Sequence, residues 1–414
     1  MPPPGGAGTK HGATVPGAIR ARLDRGQVGA RSGAAGGTAG AGAAGTIAPR
    51  HTAPGGPGRR ARVAHPAARP AASGHAVLLR GYHCRMDHPA SADIDAAVAA
   101  LRRGEVIGLP TETVYGLAGD AANLAALQRI YALKGRPLDH PVIVHLGDVA
   151  QLEQWAREIP AAARTLAARF WPGPLTLVLR RDPRVPDRVT GGQDTVGIRI
   201  PAHPLALAVL RAFGGGLAAP SANRYGHVSP TTAQHVREEF GDELALVLDG
   251  GPCAVGIEST IVDLSGELPR VLRPGQIGIE AIGTALGGAV ASGAATASPR
   301  VPGALRSHYA PRAPAELVAR AELVVRADRS RREDEHAQLL AIGTLPAGGE
   351  GLALPAEPEA YARHLYAALR QLDAEGADRI LIEAPPADAA WNAVRDRVQR
   401  ATAGTPASDA DDAP

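Results

Sequence analysis

Hydroxyl and cationic side chains recur at the ends of short apolar segments in the middle of the chain. Thr111 and Thr113 follow the apolar run 106–109, and Lys134 and Arg136 flank the glycine that ends a helical segment. Side chains of these types bind phosphates and carboxylates, because they supply hydrogen-bond donors and positive charge. Each residue alone is equally well explained as a turn former or as a cation at a helix C-terminus. Together, at loop positions, they indicate a site for a ligand with phosphate and small polar parts.

Similar polar residues follow other apolar segments: Arg199, Ser221, Asn223, Ser259, Thr260 and Arg273. Arg199 interrupts the apolar run 196–200, and a charge in such a strand requires a partner or a ligand unless it faces solvent on an edge strand. The sequence contains no Gly-x-x-x-x-Gly-Lys-Ser/Thr phosphate loop, dinucleotide fingerprint or His-Glu-x-x-His motif. ATP would therefore be bound by separate Lys, Arg and Ser side chains.

Short apolar strands mixed with amphipathic helices position these residues. The strands include 106–109, 142–146, 175–179, 196–200, 217–219 and 244–248, and the helices include 91–103, 124–134, 160–170, 203–213 and 231–240. Asn123 is predicted to cap the second of these helices and Gly135 to end it. The mixture predicts an α/β or α+β domain over residues 86–286 with a mixed, twisted sheet and flanking helices.

The last third of the chain reads as a separate, smaller α/β domain. Residues 287–298 are rich in Gly, Ala and Ser, and the interdomain linker is predicted over 287–313. Residues 314–401 alternate strands at 323–325, 339–342 and 379–382 with helices at 358–375 and 391–398. This alternation predicts a Rossmann-like domain, and the lack of a Gly-rich fingerprint argues against a cofactor site there.

The positive net charge of the chain comes from its first 85 residues. They contain twelve of the 44 Lys and Arg residues and one of the 41 Asp and Glu residues, which leaves 32 basic and 40 acidic residues in 86–414. The formal charge of that part is therefore −8. Residues 1–85 are predicted to be a disordered tail, as are 402–414. The N-terminal tail reads as a transit peptide, as a basic nucleic-acid-binding tail or, our preferred interpretation, as translated upstream sequence before a native start at Met86.

The cysteine content and hydropathy favour a cytoplasmic protein. Cys84 and Cys253 cannot form a disulfide framework or a Cys-x-x-Cys metal site, which fits a reducing compartment. No run of about eighteen apolar residues suggests a membrane span.

The chain resembles the threonylcarbamoyl-AMP synthase family, whose catalytic domain has the YrdC-like fold. The matching segments, from about residue 94 to about residue 399, are PTETVYGL, LKGRP, PVIVHL, TVGIRIP, APSAN, ESTIVD, VLRPG and SHYAP. The last of these, SHYAP, lies in the interdomain segment of the family's long form. The resemblance implies that the long form also has a Rossmann-like C-terminal domain, which would act as a lid. The resemblance implies synthesis of L-threonylcarbamoyladenylate and pyrophosphate from ATP, L-threonine and bicarbonate, with Mg²⁺ on the nucleotide. A downstream transferase would then use the product to form N6-threonylcarbamoyladenosine in tRNA.

The resemblance also implies roles for individual residues. L-threonine would contact Thr113, His145, Arg199, Ala219 and Ser259. ATP would contact Lys134, Arg136, His140, Thr195, Ser221, Ser229, Arg273 and Tyr309. Arg199 would pair with the threonine carboxylate, and Lys134 would serve the phosphates or the bicarbonate. His140 departs from the asparagine typical of the family. No residue is assigned as a general base, and no protein metal site is expected.

Two other functions are compatible with parts of the sequence. A YrdC-like domain could bind double-stranded RNA on a concave surface, but the charge of −8 argues against more than weak binding. Other carbamoyl-transfer enzymes share the domain, but they carry zinc-finger segments that two cysteines cannot supply.

Overall fold

The computed structural model of the chain describes residues 91–296, 298–303 and 308–404. The predicted N-terminal tail, the proposed start at Met86 and residues 405–414 of the predicted C-terminal tail lie outside these ranges. No helix in the described part is both long and apolar enough to cross a membrane.

The first β-sheet contains the predicted polar strand ends. Its strands are β1 (Ile107–Leu109), β2 (Gly116–Asp120), β3 (Ile143–His145), β4 (Leu175–Arg180), β5 (Thr195–Arg199), β6 (Leu217–Ala218), β7 (Leu246–Val247), β8 (Thr260–Asp263), β9 (Arg270–Arg273) and β10 (Ala291–Ser292). Their order across the sheet is β10-β9-β8-β4-β5-β3-β6-β2-β1-β7, with both parallel and antiparallel pairs. The predicted mixed sheet is confirmed.

Seven helices accompany this sheet in the described residues. They are α1 (Ser91–Arg102), α2 (Leu124–Lys134), α3 (Ala161–Phe170), α4 (Asp187–Thr190), α5 (Pro204–Phe213), α6 (Ala233–Phe240) and α7 (Ile279–Leu286). The predicted cap of α2 is confirmed, because the Asn123 side chain accepts hydrogen bonds from the backbone N–H groups of Ala125 and Ala126. Gly135 ends the helix with φ 63°, a left-handed conformation that favours glycine.

Strand β2 was not predicted from the sequence. Its residues, GLAGD, lack the alternation and the β-branched side chains that indicate a strand. The glycines serve close packing instead, since a Cβ at Gly116 would lie 3.1 Å from the Ala219 Cβ, and one at Gly119 equally close to Ile130. Because β2 runs antiparallel to β1, the hydroxyl-rich turn at 111–113 connects two adjacent strands and is held at both ends.

The second sheet is entirely parallel. Its strands are β11 (Ala315–Val318), β12 (Ala337–Ile342), β13 (Gly351–Leu354) and β14 (Arg379–Glu383), in the order β11-β14-β12-β13. Helices α8 (Leu323–Arg332), α9 (Pro358–Ala374) and α10 (Asn392–Ala401) accompany it. The predicted smaller α/β unit is confirmed, because these strands alternate with helices.

The predicted strand at 323–325 is wrong, because these residues form the first turn of α8. Leu323 is fully buried whereas Val325 is 67% exposed, so the apolar run does not face one core. Short apolar runs do not by themselves distinguish strands from helices. The strands β11 and β13 were not predicted, and residues 291–292, predicted as part of the linker, form the edge strand β10.

Helix α9 packs directly against the first sheet's loops. Its residues Tyr361, Leu365 and Tyr366 share one apolar cluster with Val255 and Ile257. The approach is close at Gly256, where a Cβ would lie 2.4 Å from the Arg363 Cα. The two α/β units therefore form a continuous core next to the strand ends that carry the polar residues.

Candidate active site

A cavity lies where the β1–β2 turn meets the ends of β3, β5, β6, β8 and β9. The empty space between its walls, together with the solvent at its mouth, is about 540 Å³. Nine of the sequence-predicted site residues line it: Thr113, Arg136, His145, Arg199, Ala219, Ser221, Ser259, Arg273 and Tyr309. Four do not: Lys134, His140, Thr195 and Ser229.

Arg199 is the central cation of one end of the cavity. It is 4% exposed, and its strand β5 lies between β4 and β3, so the alternative of a solvent-facing edge residue is wrong. Its guanidinium donates to the Thr113 hydroxyl (2.8 Å) and the Gly173 carbonyl (3.2 Å). The third guanidinium nitrogen lies 2.7 Å from Glu112 Oε1 in a buried ion pair. This arrangement presents a fixed planar cation suited to a carboxylate.

The β1–β2 turn orients Thr113 towards Arg199. The Thr111 hydroxyl donates to the Val114 carbonyl (2.6 Å) and accepts from the backbone N–H groups of Thr113 and Val114. Thr111 also contacts the Thr113 hydroxyl at 2.9 Å. Thr111 thus builds the turn, and Thr113 presents its hydroxyl to the cavity.

His145 pairs with Arg199 across β3 and β5. Burial and the neighbouring positive charge of Arg199 lower the pKa of His145 to about 3. Its ring is therefore neutral at physiological pH. Among the described residues the His145 Nδ1 has no hydrogen-bond partner, which leaves it available to a ligand.

Two buried guanidinium groups mark the other end of the cavity. Arg273 donates from Nε and one terminal nitrogen to the Ser259 carbonyl (3.1 and 3.0 Å), and from the other terminal nitrogen to the Pro302 carbonyl (2.9 Å). Arg136 donates to the Pro141 carbonyl (2.8 Å), and its Nε has no partner among the described residues. Both remain charged, since a guanidinium is not deprotonated in proteins. Two such cations held by carbonyl groups suit a polyphosphate.

Lys134 lies behind the cavity wall. Its ammonium group donates to the carbonyl groups of Ser221 and Asn223 at 2.6 and 2.7 Å. Burial is the main cause that holds the pKa of Lys134 well below its usual value. Lys134 therefore anchors the loop that carries Ser221 to the cavity.

The other three predicted residues lie near the cavity but outside its lining. His140 Nδ1 is 3.2 Å from the Tyr225 hydroxyl. Thr195 lines a smaller neighbouring cavity that shares Ile143 and Pro302 with the main one. Ser229 is fully buried and donates to Glu258 Oε1 (2.6 Å).

Residues on both sides of 304–307 contribute to the cavity. Those that line it are Pro302, Gly303, His308 and Tyr309. Within the predicted interdomain segment, residues 297 and 304–307 lie outside the described residues. The Tyr309 side chain is 1% exposed, and its hydroxyl has no partner among the described residues. The His308 ring meets it edge-on at 4.1 Å.

Three further residues of the site, Glu258, Tyr366 and Arg397, were not predicted from the sequence. Glu258 lines the cavity and its carboxylate accepts from Tyr366 and Arg397 of the C-terminal unit. Burial opposes the charged form of Glu258, but Arg397 and Arg273 overcome this effect and lower its pKa to about 2. One signal was present in the sequence: Arg397 falls on the same helical stripe as the apolar residues Ala393 and Val394.

Comparison with known proteins supports a single family for the whole described region. One family model, described as telomere recombination, matches residues 99–275. A second, described as the C-terminal domain of threonylcarbamoyl-AMP synthase, matches residues 277–403.

Relatives from distant organisms match over most of their length. The threonylcarbamoyl-AMP synthase of Pyrococcus abyssi is 39% identical over 325 residues, which cover 75% of this chain and 94% of the relative. That of Bacillus subtilis is 39% identical over 322 residues, covering 75% and 93%. The crystal structure of P. abyssi Sua5 complexed with L-threonine has a TM-score of 0.70 at 38% identity and covers 75% of this chain and 94% of that one.

Proposed function

This chain belongs to the threonylcarbamoyl-AMP synthase family in its two-domain form, and we propose that it converts ATP, L-threonine and bicarbonate into L-threonylcarbamoyladenylate and pyrophosphate. It is thus a nucleotidyltransferase. The observation that carries the proposal is that one cavity is lined by three buried guanidinium groups, those of Arg199, Arg136 and Arg273. An amino-acid carboxylate would find a matching cation in Arg199, and the phosphates of a nucleotide would find theirs in Arg136 and Arg273.

The threonine end uses Arg199 and its neighbours. The carboxylate of L-threonine binds the Arg199 guanidinium, and Thr113, His145, Ala219 and Ser259 surround the rest of the molecule. The neutral His145 adds a hydrogen bond without adding a second positive charge. Glu112 compensates the charge of Arg199 when no substrate is bound.

The nucleotide end uses Arg136, Arg273 and Ser221 at the phosphates, with Tyr309 against the nucleotide. Lys134 supports Ser221 from behind, and Thr195, Ser229 and His140 lie next to the residues that line the cavity. Among the described residues no cluster of three or more His, Cys, Asp or Glu side chains could hold a metal ion. We therefore propose that Mg²⁺ enters on the phosphates of ATP, which are its usual ligands in nucleotide sites, and neutralises part of their charge.

The chemistry requires mainly positioning. The threonine amine adds to the carbon of bicarbonate, and loss of water leaves a carbamate. A carbamate oxygen then bonds to the α-phosphorus of ATP, and the bond from that phosphorus to the pyrophosphate oxygen breaks. Nucleotidyl transfer of this kind depends on alignment and on charge compensation at the phosphates. Arg136 and Arg273 supply the compensation, and no side chain is assigned as a general base.

The test is release of pyrophosphate by the full-length chain. The complete mixture contains ATP, L-threonine, bicarbonate and Mg²⁺, and each component is omitted in turn. We expect release that requires both threonine and bicarbonate, with threonylcarbamoyladenylate detected by mass spectrometry. Folded protein that releases no pyrophosphate, or releases it without threonine, would contradict the proposal, and tight salt-sensitive binding of double-stranded RNA would favour the RNA-binding function instead.

We further propose that the product passes to a tRNA threonylcarbamoyl transferase in the cytoplasm. The low cysteine content supports this compartment, and the charge of −8 on residues 86–414 supports no more than weak binding of the chain itself to RNA. Addition of purified tRNA to the assay is therefore expected to leave the rate of pyrophosphate release unchanged.

A further inference from the structure

Arg397 connects the C-terminal unit to two points of the cavity wall. It lies on α10 and is fully buried. Its Nε donates to Glu258 Oε2 (2.9 Å), and one terminal nitrogen donates to the Glu258 carbonyl (3.2 Å). The other terminal nitrogen donates to the Pro274 carbonyl (2.9 Å) and to Asp396 (2.6 Å). One guanidinium therefore binds the residue before Ser259 and the residue after Arg273, at the same end of the paired strands β8 and β9.

The residues that Arg397 binds are the direct neighbours of site residues. Glu258 precedes Ser259, and Pro274 follows Arg273. Ser259 and Arg273 are themselves joined, since Arg273 donates to the Ser259 carbonyl and to its hydroxyl (3.2 Å). The same buried guanidinium thus binds the backbone next to both residues.

Both oxygens of the Glu258 carboxylate accept hydrogen bonds. Oε1 accepts from Ser229 (2.6 Å), and Oε2 accepts from the Tyr366 hydroxyl (2.9 Å) as well as from Arg397. Tyr366 is a second contribution of the C-terminal unit, from α9. The Arg397 guanidinium also lies 5.5 Å from the centre of the Tyr309 ring, and the Tyr309 and Tyr366 rings lie 5.5 Å apart.

We propose that Arg397 is a positioning residue of the synthase reaction, which places Ser259 and Arg273 for substrate binding by holding Glu258 and Pro274 together from the C-terminal unit. Tyr366 assists it through the same carboxylate. The inference rests on the proposed function of the cavity, and it gives the C-terminal unit a role inside the active site without contact to substrate. The three nitrogen atoms of the planar guanidinium reach Glu258 and Pro274 at the same time, which the single nitrogen atom of a lysine cannot do.

The test compares R397K and Y366F with the wild-type full-length chain. R397K keeps the charge next to Glu258 but loses the simultaneous contact with Pro274. We expect the KM values for L-threonine and ATP to rise about tenfold in R397K, since small displacements of binding groups have effects of this order or larger. Y366F removes one hydrogen bond to Glu258 at nearly constant volume, and we expect a rise of about threefold in both KM values.

R363A is the matched control. Arg363 is exposed on α9 and donates across the same interface to the Ala254 carbonyl (2.7 Å), without contact to Glu258 or Pro274. Its KM values are expected to equal those of the wild type. All assays are made well below the unfolding temperature of each variant, which circular dichroism provides.

Two results would overturn the inference. Wild-type KM values in both R397K and Y366F, with lowered unfolding temperatures only, would reduce Arg397 to a stabilising contact. Equal KM changes in R363A and R397K would show that docking of the two units matters, and not the contact with Glu258 and Pro274. An inactive wild-type chain in the same assay would instead count against the proposed function.

Discussion

Arg199 and Glu112 form a buried ion pair with 2.7 Å between a guanidinium nitrogen and Oε1. The pair joins strand β5 to the β1–β2 turn, and the Thr113 hydroxyl completes it by accepting from Arg199. A buried cation of fixed orientation is costly to leave without an anion. The pair therefore keeps Arg199 in place until a substrate carboxylate arrives.

Replacement of Arg199 by lysine is expected to weaken L-threonine binding about 100-fold. Lysine keeps the charge but not the bidentate geometry, which corresponds to a loss of about 2–3 kcal/mol. Isothermal titration with L-threonine measures the effect. The control is R180K on the adjacent strand β4, where an exposed arginine pairs with Asp194 outside the cavity. An unchanged threonine affinity in R199K would refute the assignment of Arg199 to the carboxylate.

Substitution of Tyr309 by phenylalanine is expected to raise the KM for ATP about tenfold without loss of stability. The hydroxyl has no partner in the described residues, so its removal breaks no hydrogen bond among them. A bond to bound nucleotide would be lost, which accounts for the higher KM. Steady-state kinetics and thermal unfolding measure the two effects.

The control for Tyr309 is Y361F. Tyr361 is equally buried and its hydroxyl also has no partner in the described residues, but it packs against Trp391 and does not line the cavity. We expect the Y361F variant to have the same KM for ATP as the wild type. Equal effects in the two variants would argue against a nucleotide contact of Tyr309.

The free energy of unfolding is expected to decrease as the pH falls, and His145 is expected to cause part of this decrease. Its pKa is about 3 in the folded chain, below its usual value of 6.5, chiefly because of burial. The unfolded chain therefore binds one more proton at intermediate pH, and the free energy of unfolding decreases as the pH falls below about 6.5. The loss is about 2–3 kcal/mol between pH 7 and pH 4.5.

Urea unfolding of H145Q measures this contribution. The variant is expected to lose less stability than the wild type over the same pH range, because its amide does not titrate. H336Q, at an exposed position on the second unit, is the control and is expected to behave as the wild type. Parallel pH profiles for H145Q and the wild type would contradict the buried neutral state of His145.

Replacement of Gly256 by alanine is expected to disturb the docking of α9. Gly256 has φ +83°, and a Cβ there would lie 2.4 Å from the Arg363 Cα. Strain of about 1–2 kcal/mol from the left-handed backbone adds to the steric overlap. We expect a lower unfolding temperature and faster proteolysis than in G266A, where a Cβ would have open space. Unchanged proteolysis would mean that the two units tolerate a wider separation.

Local features of this protein follow from its sequence alone. Asn123 and Gly135 set the ends of α2, because capping and left-handed conformation depend on a few neighbouring atoms. The residue types at positions 113, 136, 199 and 273 are sufficient to indicate carboxylate and phosphate binding, and these four do meet in one cavity. Alternation of strands and helices likewise predicts both α/β units.

Tertiary packing selects which of these residues face the cavity and what holds them. Lys134 has the chemistry of a phosphate ligand, yet its ammonium group binds the carbonyls of Ser221 and Asn223, which are 87 and 89 residues away in sequence. Arg397 binds Glu258 across 139 residues. A buried charge takes whichever partner packing brings within about 3 Å, and that choice depends on how distant elements dock and not on local sequence.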